Sequence, residues 1–131
     1  MKMFYTLFIA LLFSTYSFSQ DINGLWEDSA GTSLTNCHVI FAAKNDSVFM
    51  THYIEFNGVP FVEYGNGIIT NDSLIYEVTV TKGIPGWSTA GTHHLKIFDN
   101  GNTLRGTYHD NKGKSGMIVF KRKKLKKTKI D

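Results

Sequence analysis

Five histidines (His38, His52, His93, His94 and His109) are the side chains of this 131-residue chain best suited to metal or proton chemistry, and their spacing favours neither. His93 and His94 are adjacent in a strand-like segment, so their rings leave opposite faces and cannot share one ion without a bulge. No His-x-x-x-His pair occurs, and a single cysteine excludes cysteine-based metal sites. Nothing argues for haem ligation, so no metal and no cofactor is expected. Catalysis has as little support. There is no Gly-x-Ser-x-Gly elbow, and Glu55 with Glu63, or His109 beside Asp110, read as exposed polar positions near hairpin ends. No catalytic residue is assigned. What remains is a set suited to holding a molecule: His52, Tyr76, Trp87, His93 and Tyr108 combine aromatic surface with single polar atoms.

The elements that must position these residues are strands. Alternating β-type residues, broken at short intervals by turn clusters, predict eight strands at Ile22–Glu27, Ser33–Ala42, Ser47–Phe56, Pro60–Ile69, Ser73–Lys82, Thr92–Asp99, Thr103–His109 and Ser115–Arg122. The breaks carry turn chemistry, as in Ala30-Gly31, Asn45-Asp46, Asn57-Gly58, Asn71-Asp72, Asn100-Gly101 and the segment Asp110 to Gly113. Asn45-Asp46-Ser47 and Asn71-Asp72-Ser73 also match the glycosylation sequon, but a turn already demands those residues. Eight strands joined by short connections pair antiparallel with their neighbours, and they lose their edges most simply by closing. The fold class predicted is therefore all-β, an eight-stranded antiparallel up-and-down β-barrel.

Alternation then assigns an inner face. Val48, Met50, His52, Ile54 and Phe56 share one parity, as do Leu74, Tyr76, Val78 and Val80, then His93, Leu95 and Ile97, then Leu104, Gly106 and Tyr108. Such a face suits either a pocket for a small apolar ligand or a filled core with tyrosines reaching the rim. The segment from Gly83 to Gly91 is the longest break; its Ile84 and Trp87 suit a lid over one barrel mouth or a loop tucked onto the wall.

The two ends of the chain bear on where the barrel works. Lys2, the apolar run Phe4–Phe13 and Ser17-Phe18-Ser19 form a signal-peptide pattern over residues 1–19, too short in its apolar part to span a bilayer. A secreted or periplasmic protein of about 110 residues follows, one domain over residues 20–122. Cys37 has no partner for a disulfide and reads as a small buried hydrophobe. Residues 121–131 hold seven basic side chains and one acidic, whereas residues 20–120 hold six basic and ten acidic, so the basic character belongs to the tail, residues 123–131. That tail could dock on an anionic surface; nucleic acid is not expected, because the basic residues are not interleaved with aromatics and the body is acidic.

Asn23-Gly24-Leu25-Trp26 at the start of the first strand resembles the Gly-x-Trp signature of lipocalins and related calycin barrels, and Lys121-Arg122 sits where that group often places a basic side chain. The resemblance implies a lipocalin-like barrel closed at its base by Trp26 stacked under a cation, Arg122. Together with the signal-peptide pattern and the mixed inner face, the expectation is an exported, non-catalytic binding protein for a small apolar or amphipathic molecule. The alternative reading is a filled barrel acting as an interaction protein through its basic tail.

Overall fold

The computed structural model describes residues 20–29 and 34–124. The signal-peptide segment, the Ala30-Gly31 turn and the tail beyond residue 124 lie outside them. Eight strands run in chain order: β1 (Gly24–Asp28), β2 (Leu34–Lys44), β3 (Ser47–Phe56), β4 (Val59–Thr70), β5 (Ser73–Val80), β6 (Ala90–Phe98), β7 (Thr103–Asp110) and β8 (Ser115–Arg122). Each pairs antiparallel with the next, and β8 returns to β1 through Trp26 opposite Arg122, so the sheet closes as an up-and-down barrel. Closure leaves the strands no free edge. The sequence boundaries hold to within two residues; the two-residue departures are β1, which starts later, β2, which ends later, β5, which ends earlier at Val80, and β6, which starts earlier at Ala90.

Local chemistry explains the tight connections. Lys44 pairs with Ser47, Phe56 with Val59 and Thr70 with Ser73, so Asn45-Asp46, Asn57-Gly58 and Asn71-Asp72 are two-residue loops. In each the asparagine takes φ between 51° and 56°, the left-handed region that asparagine tolerates best after glycine. One irregularity interrupts β2. Between Thr35 and His38 the register shifts, so that Asn36 and Cys37 face a single β3 residue, and Asn36 adopts φ 49°. The bulge leaves Cys37 buried. Burial also raises the thiol pKa, consistent with an inert packing role.

The connections Asn45-Asp46, Asn71-Asp72 and the short 3-10 turn Asp99–Gly101 define one end of the barrel, here called the base; Asn57-Gly58, residues 81–89 and residues 111–114 define the mouth. The base half is solid. Trp26, Phe41, Tyr76 and Phe120 meet edge to face there with centroids 5.7–6.2 Å apart, and Ile22, Val39, Val48, Leu74 and Leu104 are completely buried around them. The Trp26 indole donates to the Ile22 carbonyl at 3.0 Å, so its one polar atom is satisfied. Arg122 lies 4.4 Å from the centre of the Trp26 ring and donates to the carbonyls of Asp21, Asn23 and Gly101. One side chain therefore covers the indole and ties the entering chain to the β6–β7 connection.

Candidate functional site

The inner faces assigned by alternation are buried on β3, β5 and β6: Val48, Met50, His52 and Ile54, then Leu74, Tyr76, Val78 and Val80, then His93, Leu95 and Ile97. Toward the mouth the strands no longer fill the interior, and a cavity of about 410 Å³ opens between them. Its walls are mixed. Ile54, Val78 and Ile118 give apolar surface, while Asp28, His52, Glu63 and His93 bring ionisable groups to the same space.

Strand register explains the polar pairs. His52 on β3 stands directly opposite Glu63 on β4, and both point inward, which sets His52 Nδ1 3.0 Å from Glu63 Oε1. A carboxylate accepts only, so the ring donates through Nδ1. The other ring nitrogen, Nε2, lies 3.9 Å from Asp28 Oδ2 at the end of β1 and has no hydrogen-bond partner among the described residues, although the His52 side chain is only 4 % exposed. Tyr76 on β5 and His93 on β6 are likewise register partners, with the hydroxyl 3.0 Å from Nδ1. Burial, reinforced by the charges of Glu63 and Asp28, pushes the Tyr76 phenol well above its ordinary pKa, so it keeps its proton and donates to His93. The neutral ring then carries its hydrogen on Nε2. Tyr108 on β7 stands next to His93 in the register and lies over Gly116.

Four of the five residues expected to hold a ligand, His52, Trp87, His93 and Tyr108, line the cavity. Tyr76 is packed beneath it and reaches it through His93. Trp87 closes one side of the mouth. Its ring lies 5.1 Å from Phe56 and 5.0 Å from Phe61, within a small cluster that includes Cys37, Ile54 and Val80. The 81–89 loop is thus packed on the barrel wall by Trp87, the second of the two sequence expectations, at the edge of the opening. Its far end is fixed where Ser88 donates to the Asp110 carboxylate.

Two site residues escaped the sequence reading. Glu63 was expected at an exposed hairpin end, but it is 4 % exposed and faces the interior, because Phe61, Glu63 and Gly65 carry the inward parity of β4. The signal was there in Phe61-x-Glu63-x-Gly65. It was masked by Tyr64 and Ile68, apolar residues that face solvent on the same strand. Asp28 is adjacent to an expected strand end and gave no signal of its own.

His93 makes the site's protonation visible in stability. Burial, the dominant cause, holds its pKa down at about 4, against an ordinary value of 6.5. The unfolded chain takes up a proton below pH 6.5 that the folded chain refuses until about pH 4, so this contribution is fully present above pH 6.5 and is lost as pH falls toward 4. On the order of 3 kcal/mol is at stake. Denaturant unfolding at pH 7.0, 5.5 and 4.5 should show that fall, and His93→Gln should flatten it; an equal fall in the variant would assign the effect to other groups.

Neither a family model, nor a curated protein, nor a solved structure matches this chain.

Proposed function

We propose that this chain is an exported, lipocalin-like binding protein that holds a small apolar or amphipathic molecule in the mouth half of its barrel without changing it chemically. The observation that carries the reading is the division of the interior. A barrel whose task is only to be a scaffold gains by filling both halves, whereas here the base is solid and the mouth half encloses about 410 Å³, within the range of small-molecule sites. Buried ionisable groups line that space, where a filled core would favour apolar side chains. Export rests on the signal-peptide pattern of residues 1–19.

The rigid base supports the reading in a second way. Strands anchored by Trp26, Phe41 and Phe120 hold His52 and His93 at fixed positions on their inner faces, so a bound molecule meets preformed partners and little ordering cost falls on binding. Trp87, half-buried beside the opening, provides an aromatic wall for the apolar part of the occupant. The interaction reading has less behind it: Lys121 lies 3.7 Å from Asp99 and Lys123 lies 2.9 Å from Glu27, so both basic side chains face acidic groups of the barrel itself.

The test is native mass spectrometry of the protein purified from a secreting host, set against its denatured mass. A reproducible excess that disappears on denaturation supports the binding reading and gives the mass of the occupant. A bare mass, with no uptake when the protein is offered hydrophobic extracts of the host, moves the assignment to the basic tail and a macromolecular partner.

A further inference from the structure

The cavity is layered, with a polar floor beneath apolar walls. The deepest inward residues that line it on β3, β4 and β6 are His52, Glu63 and His93. One inward step further toward the base, Met50 on β3 and Leu95 on β6 belong to the solid core. One step toward the mouth, β3 turns Ile54 and then Phe56 inward, and Trp87 borders the opening. A molecule that fills this space therefore meets hydrogen-bonding groups at its inner end and hydrocarbon along its length.

The floor leaves one of those groups unanswered. With Nδ1 donating to Glu63 at 3.0 Å, the neutral His52 ring presents an acceptor at Nε2. That atom is the single buried side-chain nitrogen or oxygen among the described residues without a hydrogen-bond partner. Asp28 does not answer it: its Oδ2 is 3.9 Å away, beyond hydrogen-bond reach, and Asp28 is engaged in a further interaction. His93 offers the opposite character. Its Nδ1 accepts from the Tyr76 hydroxyl at 3.0 Å, so the ring, neutral at pH 7, carries a hydrogen on Nε2. A metal ion is not the natural partner of His52, since among the described residues no three His, Cys, Asp or Glu side chains are grouped to hold one.

We propose that the molecule held in this cavity is an alcohol bound head-down, its hydroxyl seated on the floor against His52 and His93 and its apolar body rising past Ile54 and Val78 toward Trp87. A hydroxyl has one hydrogen to donate and lone pairs to accept, so it can satisfy His52 Nε2 and receive the His93 hydrogen. The proposal rests on the pocket reading above and adds the class of ligand and its orientation. An ether or a hydrocarbon has no hydrogen to give, and with either of them Nε2 stays buried and unpaired. A fatty acid is the wrong amphiphile, because its carboxylate would be brought against that of Glu63, which is itself only 6 % exposed.

The experiment compares n-octanol with methyl heptyl ether, isomers of which only the alcohol has a hydrogen to donate, and with n-octanoate, by isothermal titration calorimetry of the full chain at pH 7. The expected result is octanol binding about fivefold more tightly than the ether, the scale of one net hydrogen bond, and octanoate binding most weakly. Side-chain 15N NMR of the unaltered protein locates the contact: the His52 Nε2 resonance should move with octanol and stay in place with the ether. In the double variant His52→Phe, Glu63→Leu, which replaces both partners by apolar groups, the two isomers should bind alike; an octanol preference that survives there overturns the assignment to His52. If the ether binds the unaltered protein as tightly as octanol, the hydroxyl proposal falls while the pocket reading stands. Octanoate binding most tightly has the same meaning. If none of the three binds, the pocket reading falls and the hydroxyl proposal goes with it.

Discussion

Truncating Trp26 to alanine is expected to destabilise the barrel by about 3–5 kcal/mol, the usual cost of deleting a large aromatic side chain from a core. The physical case is specific to this position. Trp26 is completely buried, meets Phe41 edge to face, donates its indole hydrogen to Ile22 and lies beneath the Arg122 guanidinium. Removing the ring leaves a cavity at the base and an arginine suspended over it, at the seam where β1 and β8 close the sheet. A domain of this size has roughly 5–15 kcal/mol of stability in all, so the variant should sit close to its unfolding threshold at 37 °C. Urea unfolding followed by circular dichroism measures the loss. Trp87→Ala is the informative partner, because Trp87 is half-buried beside the mouth and its loss should cost clearly less stability while weakening ligand uptake. Equal losses from the two substitutions would mean that the base is not the anchor of the fold.

Gly106→Ala is expected to be as damaging, although it adds only one methyl group. A β-carbon at position 106 would lie 1.8 Å from the His94 carbonyl oxygen and 2.9 Å from the Leu95 α-carbon, both backbone atoms of the paired strand β6. No rotamer change can relieve such a contact, so β6 and β7 must separate or the ladder must shift. Overpacking of this kind costs about 1–3 kcal/mol and more when backbone has to move. Gly67 is in the same position against Ile75 and Tyr76 on β5, with a β-carbon 2.0 Å from the Ile75 carbonyl oxygen. Close approach at these glycines allows the sheet to curl tightly enough to close at eight strands. Gly83→Ala is the control, since its β-carbon would meet nothing closer than 3.9 Å. Thermal melts of the three alanine variants should therefore give two large drops and one near zero; a small drop for Gly106→Ala would show that the strands have slack at that crossing.

Much of this architecture is legible in the sequence because the relevant signals are local. Turn residues fix where strands end, and the three Asn-led two-residue loops recur as the alternation predicts. Inner and outer faces on β3, β5 and β6 follow from a period of two, which one buried wall enforces on every residue. The alternation fails to announce itself on β4, where Tyr64 and Ile68 on the outer wall are as apolar as Phe61 and Ile69 on the inner one. Periodicity needs contrast between faces, and this strand offers little.

An all-β chain of eight strands with a given set of side chains turned inward can be read from residue order, because those properties depend on near neighbours in the chain. Which inward residues meet is settled only when the strands pair and close. The opposition of His52 to Glu63 and of Tyr76 to His93, and the approach of His52 to Asp28 at the end of β1, depend on strand register and on closure between β1 and β8, which are set by contacts far apart in the chain. The division into a solid base and a hollow mouth is of the same kind. It follows from the large aromatic rings of β1, β2 and β8 converging at one end of a closed barrel, and volume inside a closed wall is a property of the whole sheet.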